Sequence, residues 1–386
     1  MSGYTCELGH ARADLGMAPD MVSDRAPGDA MIELKYKPDF PKVMERFEAW
    51  WQCEIIDRPL ATIPVKPARL SKLPAKSHAT PRDRWLDVEY SLECFEATVE
   101  CGVYLGETIP MYLPNIGPEG ICTLFGCELD FTEFTTYSRP AAESIRDILK
   151  IQPDFENFYW KIVRKMTDLS LQRGAGKWLT GISDLHGNGD LLASLRGPEN
   201  LCLDIADDIE GVRLACDRVT EFFPRIYEDL YGRIAAAGQP ATTWLNLPHW
   251  GKYFVSSCDF ISLISPDHFG RTILPSIIRE NEYLERKIFH LDGPGAVKHL
   301  DAILREGNVD GIQWGHGSRQ ERLDVYKKAQ AAGKCIHISA WDLDDAKAIA
   351  KEIRPEGAFF YICGECEAQQ AEDFLRWLER WGAGKE

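Results

Sequence analysis

From residue 287 to the C-terminus, short apolar runs alternate with amphipathic stretches long enough to be helices, and this alternation limits the fold more than any other feature. The runs 287–291, 311–314, 334–339 and 358–362 read as strands, and 295–305, 319–332, 343–353 and 367–381 as helices. Tight hairpins join antiparallel strands; strands linked through helices are parallel neighbours, usually covered on both faces. A closed ring is favoured over an open doubly wound sheet, because no GxGxxG or P-loop follows the first strand. The expected fold class is α/β, a (β/α)₈ TIM barrel with an N-terminal helical extension.

Upstream the pattern is less regular. The segment 60–65, LATIPV, is strand-like and leads into a Pro-rich irregular loop up to Pro81. Val88, Leu92, Phe95 and Val99 place a helix over 86–105; 108–113 is a strand and 114–120 a Gly/Pro-rich loop. Phe155, Tyr159, Ile162, Met166 and Leu169 give a helix over 154–173. The strand 177–182 ends in Ser183-Asp184-Leu185-His186-Gly187-Asn188-Gly189-Asp190. A helical region covers 208–237, with Pro224 a kink or a second start. Segments 242–247 and 253–258 are strands, and Ser265-Pro266 opens a helix. Residues 1–30 read as a poorly ordered leader without the apolar core of a secretion signal, and 31–386 as a single barrel domain.

The 386 residues carry 60 Asp and Glu against 44 Lys and Arg, a formal charge of −16. That balance argues against nucleic-acid or anionic-membrane partners, which call for a basic footprint. No apolar run approaches the roughly 20 residues that span a bilayer. The expectation is a cytoplasmic protein acting on a small molecule, with a homodimer left open. The 12 cysteines are scattered and read mostly as small buried hydrophobes. Cys363-Gly-Glu-Cys366 is a single CxxC, weak evidence for metal or redox chemistry alone.

In a βα barrel the chemistry sits at the C-terminal ends of the strands. Those ends hold Asp184 and His186, Cys258 and Asp259, His290 and Asp292, Trp314 and His316, Ser339 and Trp341, and Cys363 and Cys366. His290-x-Asp292 projects both side chains to one side of an extended segment. With Cys363 and Cys258 it predicts a zinc site of nitrogen, oxygen and sulfur ligands with one position open. The alternative is structural: His290 ends a strand and Asp292 bonds the backbone of the Gly-Pro-Gly turn. Asp184, His186 and Asp259 are candidates for orienting substrate or moving protons, although Asp184 also suits a turn or helix cap. Asn188, Trp314, His316 and Trp341 are candidate substrate-lining residues, with rim packing as the alternative for the tryptophans.

Three blocks of sequence carry a family resemblance: DLHGNGDLLASLRGPENLCLDIADD at 184–208, SCDFISLISPDHFGRTILPSI at 257–277, and FHLDGPGAVKHLDAI followed by DGIQWGHG. They resemble the uroporphyrinogen decarboxylase-like superfamily of TIM barrels over most of 32–380. Within it they look most like the trimethylamine corrinoid protein-like, or methylcobamide methyltransferase-like, branch. The resemblance implies the URO-D barrel fold and methyl transfer with a corrinoid. Two departures matter. The Arg-rich MRQAGR segment that grips tetrapyrrole carboxylates in true decarboxylases is missing around Arg58–Pro64. The family's zinc-binding His-x-Cys pair is matched by His290 but has Asp292 in place of its Cys.

The expected function is therefore methyl transfer with a separate corrinoid protein, zinc-assisted, to or from a thiol or other small acceptor. The methylcobamide would arrive on the partner, since no DxHxxG cobalamin-ligand motif is present. A metal-free decarboxylase or lyase on a small carboxylated substrate is the rival, with Arg58 and Arg196 as candidate cations. A non-catalytic ligand-binding barrel is the second.

Overall fold

The computed structural model describes residues 32–67 and 69–385, so the leader expected at 1–30 lies outside the described residues. Ten strands follow in order: β1 (Leu60–Thr62), β2 (Met111–Tyr112), β3 (Glu128–Phe131), β4 (Thr136–Arg139), β5 (Leu179–Thr180), β6 (Tyr253–Ser257), β7 (Arg286–His290), β8 (Gly311–Trp314), β9 (Cys335–Ala340) and β10 (Ala358–Ile362). Six form one parallel sheet in the order β1-β10-β9-β8-β7-β6. The strands β2 and β5 form a separate parallel pair, and β3 and β4 an antiparallel hairpin absent from the sequence reading. The C-terminal alternation is thus a run of βα units, with every residue of β6 and β8 buried. Burial on both faces is what makes such strands read as continuous apolar runs.

No ladder among the described residues joins the β2–β5 pair to either edge of the larger sheet. On the β1 side the contacts are isolated, a bridge between Thr62 and Gly106 and Glu107 N–H to Ala61 O at 2.8 Å; past β5, Ile182 N–H reaches Thr242 O at 2.8 Å, in the segment that precedes β6. Strand pairing among the described residues gives one six-stranded and two two-stranded sheets, not one continuous ring. Part of the reason is local. The strand expected at 242–247 is a tight excursion in which Ala241 bridges to His249 and Asn246 takes a left-handed φ of +55°. Asparagine tolerates that region better than most residues. The helical region 208–237 is two helices, Ile209–Thr220 and Phe223–Ala236, and Pro224 sits in the first turn of the second, where its missing N–H costs nothing.

The N-terminal helix α1 (Phe40–Trp51) buries Phe40, Val43, Phe47, Trp50 and Trp51 along one face. Phe47 and Trp50 meet Phe359 edge-on at 5.6 and 5.9 Å, and Trp50 donates to Gly357 O at 2.8 Å. This anchors the helix near the amino-terminal end of β10. Among the described residues, no helix is long and apolar enough to cross a membrane.

Candidate functional site

Because β6 to β10 run parallel, the segments leaving their C-terminal ends share one edge of the sheet. Register places Ser257, His290, Gln313 and His337 across β6, β7, β8 and β9 in turn. Past that row lie Asp259, Asp292 and His316. The loop after β5 brings Asp184 and His186 to the same place, and the helix Asn188–Arg196 adds Asp190 from its first turn.

Asp190 organises this region. One of its oxygens accepts the Phe260 N–H at 3.0 Å and faces the Cys258 thiol at 3.5 Å; the other accepts the Asp259 N–H at 3.0 Å. The carboxylate thereby caps the 3₁₀ turn Asp259–Leu263 while sitting at the favourable end of its own helix. That approach requires Gly189: a Cβ there would lie 2.8 Å from the Cys258 sulfur and 2.7 Å from Ile273.

His186 Nδ1 is 3.8 Å from Asp190, and its Nε2 is 3.2 Å from Asp184. Burial opposes a charge on this imidazole, but Asp184, Asp190 and Asp259 outweigh it and raise its pKa to about 10. Asp259 shows the complementary effect. Burial and the neighbouring Asp190 push its carboxyl up to about 7, against the attraction of His186. Ligand atoms of His186, Asp190 and Asp259 all lie within 4.8 Å of one another, close enough to share a metal ion. One imidazole nitrogen and two carboxylate oxygens suit a divalent metal taking N/O donors.

His290 faces the cluster from β7. Burial lowers its pKa, and Nδ1 is bonded to Gln313 Oε1. A carbonyl oxygen can only accept, so Nδ1 carries the proton and Nε2 keeps a free lone pair. Nε2 lies 3.9 Å from Asp292 Oδ1, which also meets His316 Nε2 at 3.0 Å. Trp244 stands edge-on to the His290 ring at 5.0 Å.

The four donors expected to bind zinc do not form such a group. Cys258 is buried, and burial with Asp190 alongside pushes its thiol well above the usual range, so it is held as a donor to that carboxylate and not as a thiolate. Cys363 is exposed beyond β10; partial desolvation raises its thiol pKa, and its charged neighbours are Arg322 and Asp345, not His290. Asn188 is turned inward with a left-handed φ of +41°; its amide donates to Ser257 O at 3.3 Å and Glu280 at 2.8 Å, leaving no group for a substrate. Trp314 is buried against His316, while Trp341 is exposed under the Arg322 guanidinium. Both cations proposed for a carboxylated substrate are engaged elsewhere: Arg58 in a bidentate pair with buried Glu107, and Arg196 with Asp204 at 2.7 Å.

Sequence reading passed over Asp190, Glu280, Gln313, Trp244 and His337. Period two along β9 places His337 on the same face as Ser339. His337 is fully enclosed, burial lowers its pKa to about 3, and it packs against Phe359 and Tyr361 as a neutral ring.

Glu280 supports the cluster through Asn188. Burial raises its pKa to about 8, against the Asn188 hydrogen bond. A carboxyl raised on folding stabilises the protein fully below its unfolded pKa, and that contribution fades as pH rises through 8. Glu280→Gln, neutral at every pH, should therefore gain on wild type by more than ~1 kcal/mol between pH 5 and pH 8.5 in urea titrations. Parallel curves for the two proteins would contradict this.

Comparison with known proteins gives the following. No protein-family model and no curated protein matches the chain. Among solved structures, it is similar to a methyltransferase from Methanosarcina mazei, with a TM-score of 0.55, 13% sequence identity, and coverage of 87% of this chain and 98% of that one. At that identity the likeness is one of fold.

Proposed function

We propose that this protein is a methyltransferase that holds a divalent cation at His186, Asp190 and Asp259 and works with a corrinoid carried on a separate protein. The observation that carries this reading is the convergence of those three residues with Asp184, His290, Asp292 and His316 at the C-terminal edge of a parallel sheet. The fold likeness to a methyltransferase supports it, as do the sequence blocks around Cys258 and His290. The expectation of a barrel of the uroporphyrinogen decarboxylase type rests on those sequence blocks alone, the described strands pairing as separate sheets.

Zinc is among the cations these donors fit, and when bound such an ion acts as a Lewis acid that lowers the pKa of an acceptor. The protein's own residues do the rest. Asp184 orients His186, and Gln313 fixes the His290 tautomer so that its free nitrogen faces the substrate space. Asp292 and His316 pair at 3.0 Å beside it, both partly exposed. The main electrostatic partners of Asp259 and His290 include carboxylates and no lysine or arginine, which favours a cationic or neutral occupant over a carboxylated one.

The test uses the full chain with methylcobalamin and a small thiol, following loss of the methyl–cobalt spectrum. The reading expects protein-dependent demethylation that drops on the order of 10²–10⁴-fold in Asp259→Asn. No acceleration over buffer, with this probe or with a corrinoid protein, would overturn it. One observation favours a second reading, metal-free acid–base catalysis: the Asp259 carboxyl with a pKa of about 7 is itself placed to give and take a proton near neutrality. That reading expects full activity in chelator, falling as pH rises through 7.

A further inference from the structure

At the opposite end of the sheet from the site, two thiols face each other. Cys53 Sγ lies 3.4 Å from Cys335 Sγ, bringing the segment after α1 against the first residue of β9. Cys53 is partly exposed, whereas Cys335 is buried, its sulfur 2.9 Å from Trp50 O. Cys53 also occupies an unusual backbone position. Its N–H bonds to Trp50 O and the Glu54 N–H to Ala49 O, both at 2.9 Å, closing α1 in the left-handed cap where glycine is the usual residue. At φ +53° a side chain costs about 1–2 kcal/mol relative to glycine.

We propose that Cys53 and Cys335 form a reversible redox pair, closing an intramolecular disulfide between the end of α1 and β9 when the protein meets a hydroperoxide. The sulfurs need to approach by about 1.4 Å to reach the ~2.05 Å of the bond. Charge favours the exposed sulfur as the attacking one. The Cys335 hydrogen bond, aided by Arg354 and Lys334 and opposed by burial, lowers the Cys53 pKa to about 7, while the Cys53 hydrogen bond and burial push that of Cys335 up. The Cys53 thiolate attacks one peroxide oxygen, the O–O bond breaks, and the departing hydroxide takes a proton to become water. Cys335 sulfur then displaces hydroxide from the Cys53 sulfenic acid. The S–S bond forms, the S–O bond breaks, and the Cys335 proton leaves in a second water. Two electrons pass from the thiols to the peroxide, and an added dithiol restores both cysteines by exchange.

The experiment treats the full chain with low hydrogen peroxide at neutral pH, quenches with an alkylating reagent, and maps peptides by mass. The expected product is a Cys53–Cys335 cross-linked peptide with a loss of about 2 Da, reversed by dithiothreitol and missing in Cys335→Ala. Should that variant fail to fold, brief iodoacetamide treatment of wild type replaces it: Cys53 is expected to alkylate at least tenfold faster than Cys335, and that capping to abolish the cross-link. Cys53 ending with two added oxygens and no cross-link, or both cysteines unmodified while others oxidise, would overturn the proposal.

Discussion

Glu107→Ala is expected to lose about 3–5 kcal/mol of stability, the cost of breaking a buried ion pair by deleting one partner. Glu107 is fully buried and is gripped by Arg58 through two bonds of 2.7 Å; Arg46 adds a third at 3.2 Å. Its Oε2 also accepts the Ala61 N–H at 2.7 Å, standing in for the ladder partner that edge strand β1 lacks there. Alanine would leave Arg58 charged and enclosed and the Ala61 N–H without its acceptor. Denaturant unfolding measures the loss, and a change below about 1 kcal/mol would show that water or rearrangement can replace the carboxylate. The result bears on function because this network holds β1 against the 107 loop, where the sheet meets the β2 segment.

Asp190→Ala is expected to have the second large effect, and a compound one. It orphans the N–H groups of Asp259 and Phe260, at about 1–3 kcal/mol for each buried donor left unpaired. It also removes one of the three cation donors and one of the carboxylates that, with no cation bound, raise the pKa values of His186 and Asp259. Stability should therefore fall, and in the metal-free protein the His186 pKa should fall with it, as NMR titration of its ring would show. Asp190→Asn retains one carbonyl oxygen and should recover part of the stability without recovering the charge. Equal behaviour of the two variants would mean that Asp190 acts only as a cap.

The regular C-terminal half was legible because buried parallel strands leave a simple signal, an apolar run followed by a 3.6-residue period. The strands expected at 311–314 and 358–362 match β8 and β10. Segment 242–247 misled because Thr, Trp and Leu suit a strand locally, while the left-handed Asn246 and the Ala241–His249 bridge bend the backbone away. At the site, Asp184, His186, Asp259, His290, Asp292 and His316 were each identifiable from their positions after strands. Their grouping was not. Pairing His290 with Asp292 followed from period two along one strand, but the cation geometry arises between His186, Asp190 and Asp259, on a loop, a helix start and a 3₁₀ turn. Asp190 escaped notice because its role depends on backbone N–H groups about 70 residues away, which leave no trace in local spacing. Cys258 drew attention as a strand-end thiol, whereas its burial against a carboxylate is a tertiary fact.

Metal content of the purified full chain, measured by elemental mass spectrometry alongside His186→Ala and His290→Ala, tests the central claim most directly. The account predicts about one divalent cation per chain in wild type, retained in His290→Ala and lost in His186→Ala. Wild type without stoichiometric metal after loading and desalting, or His186→Ala retaining it while His290→Ala does not, would contradict it.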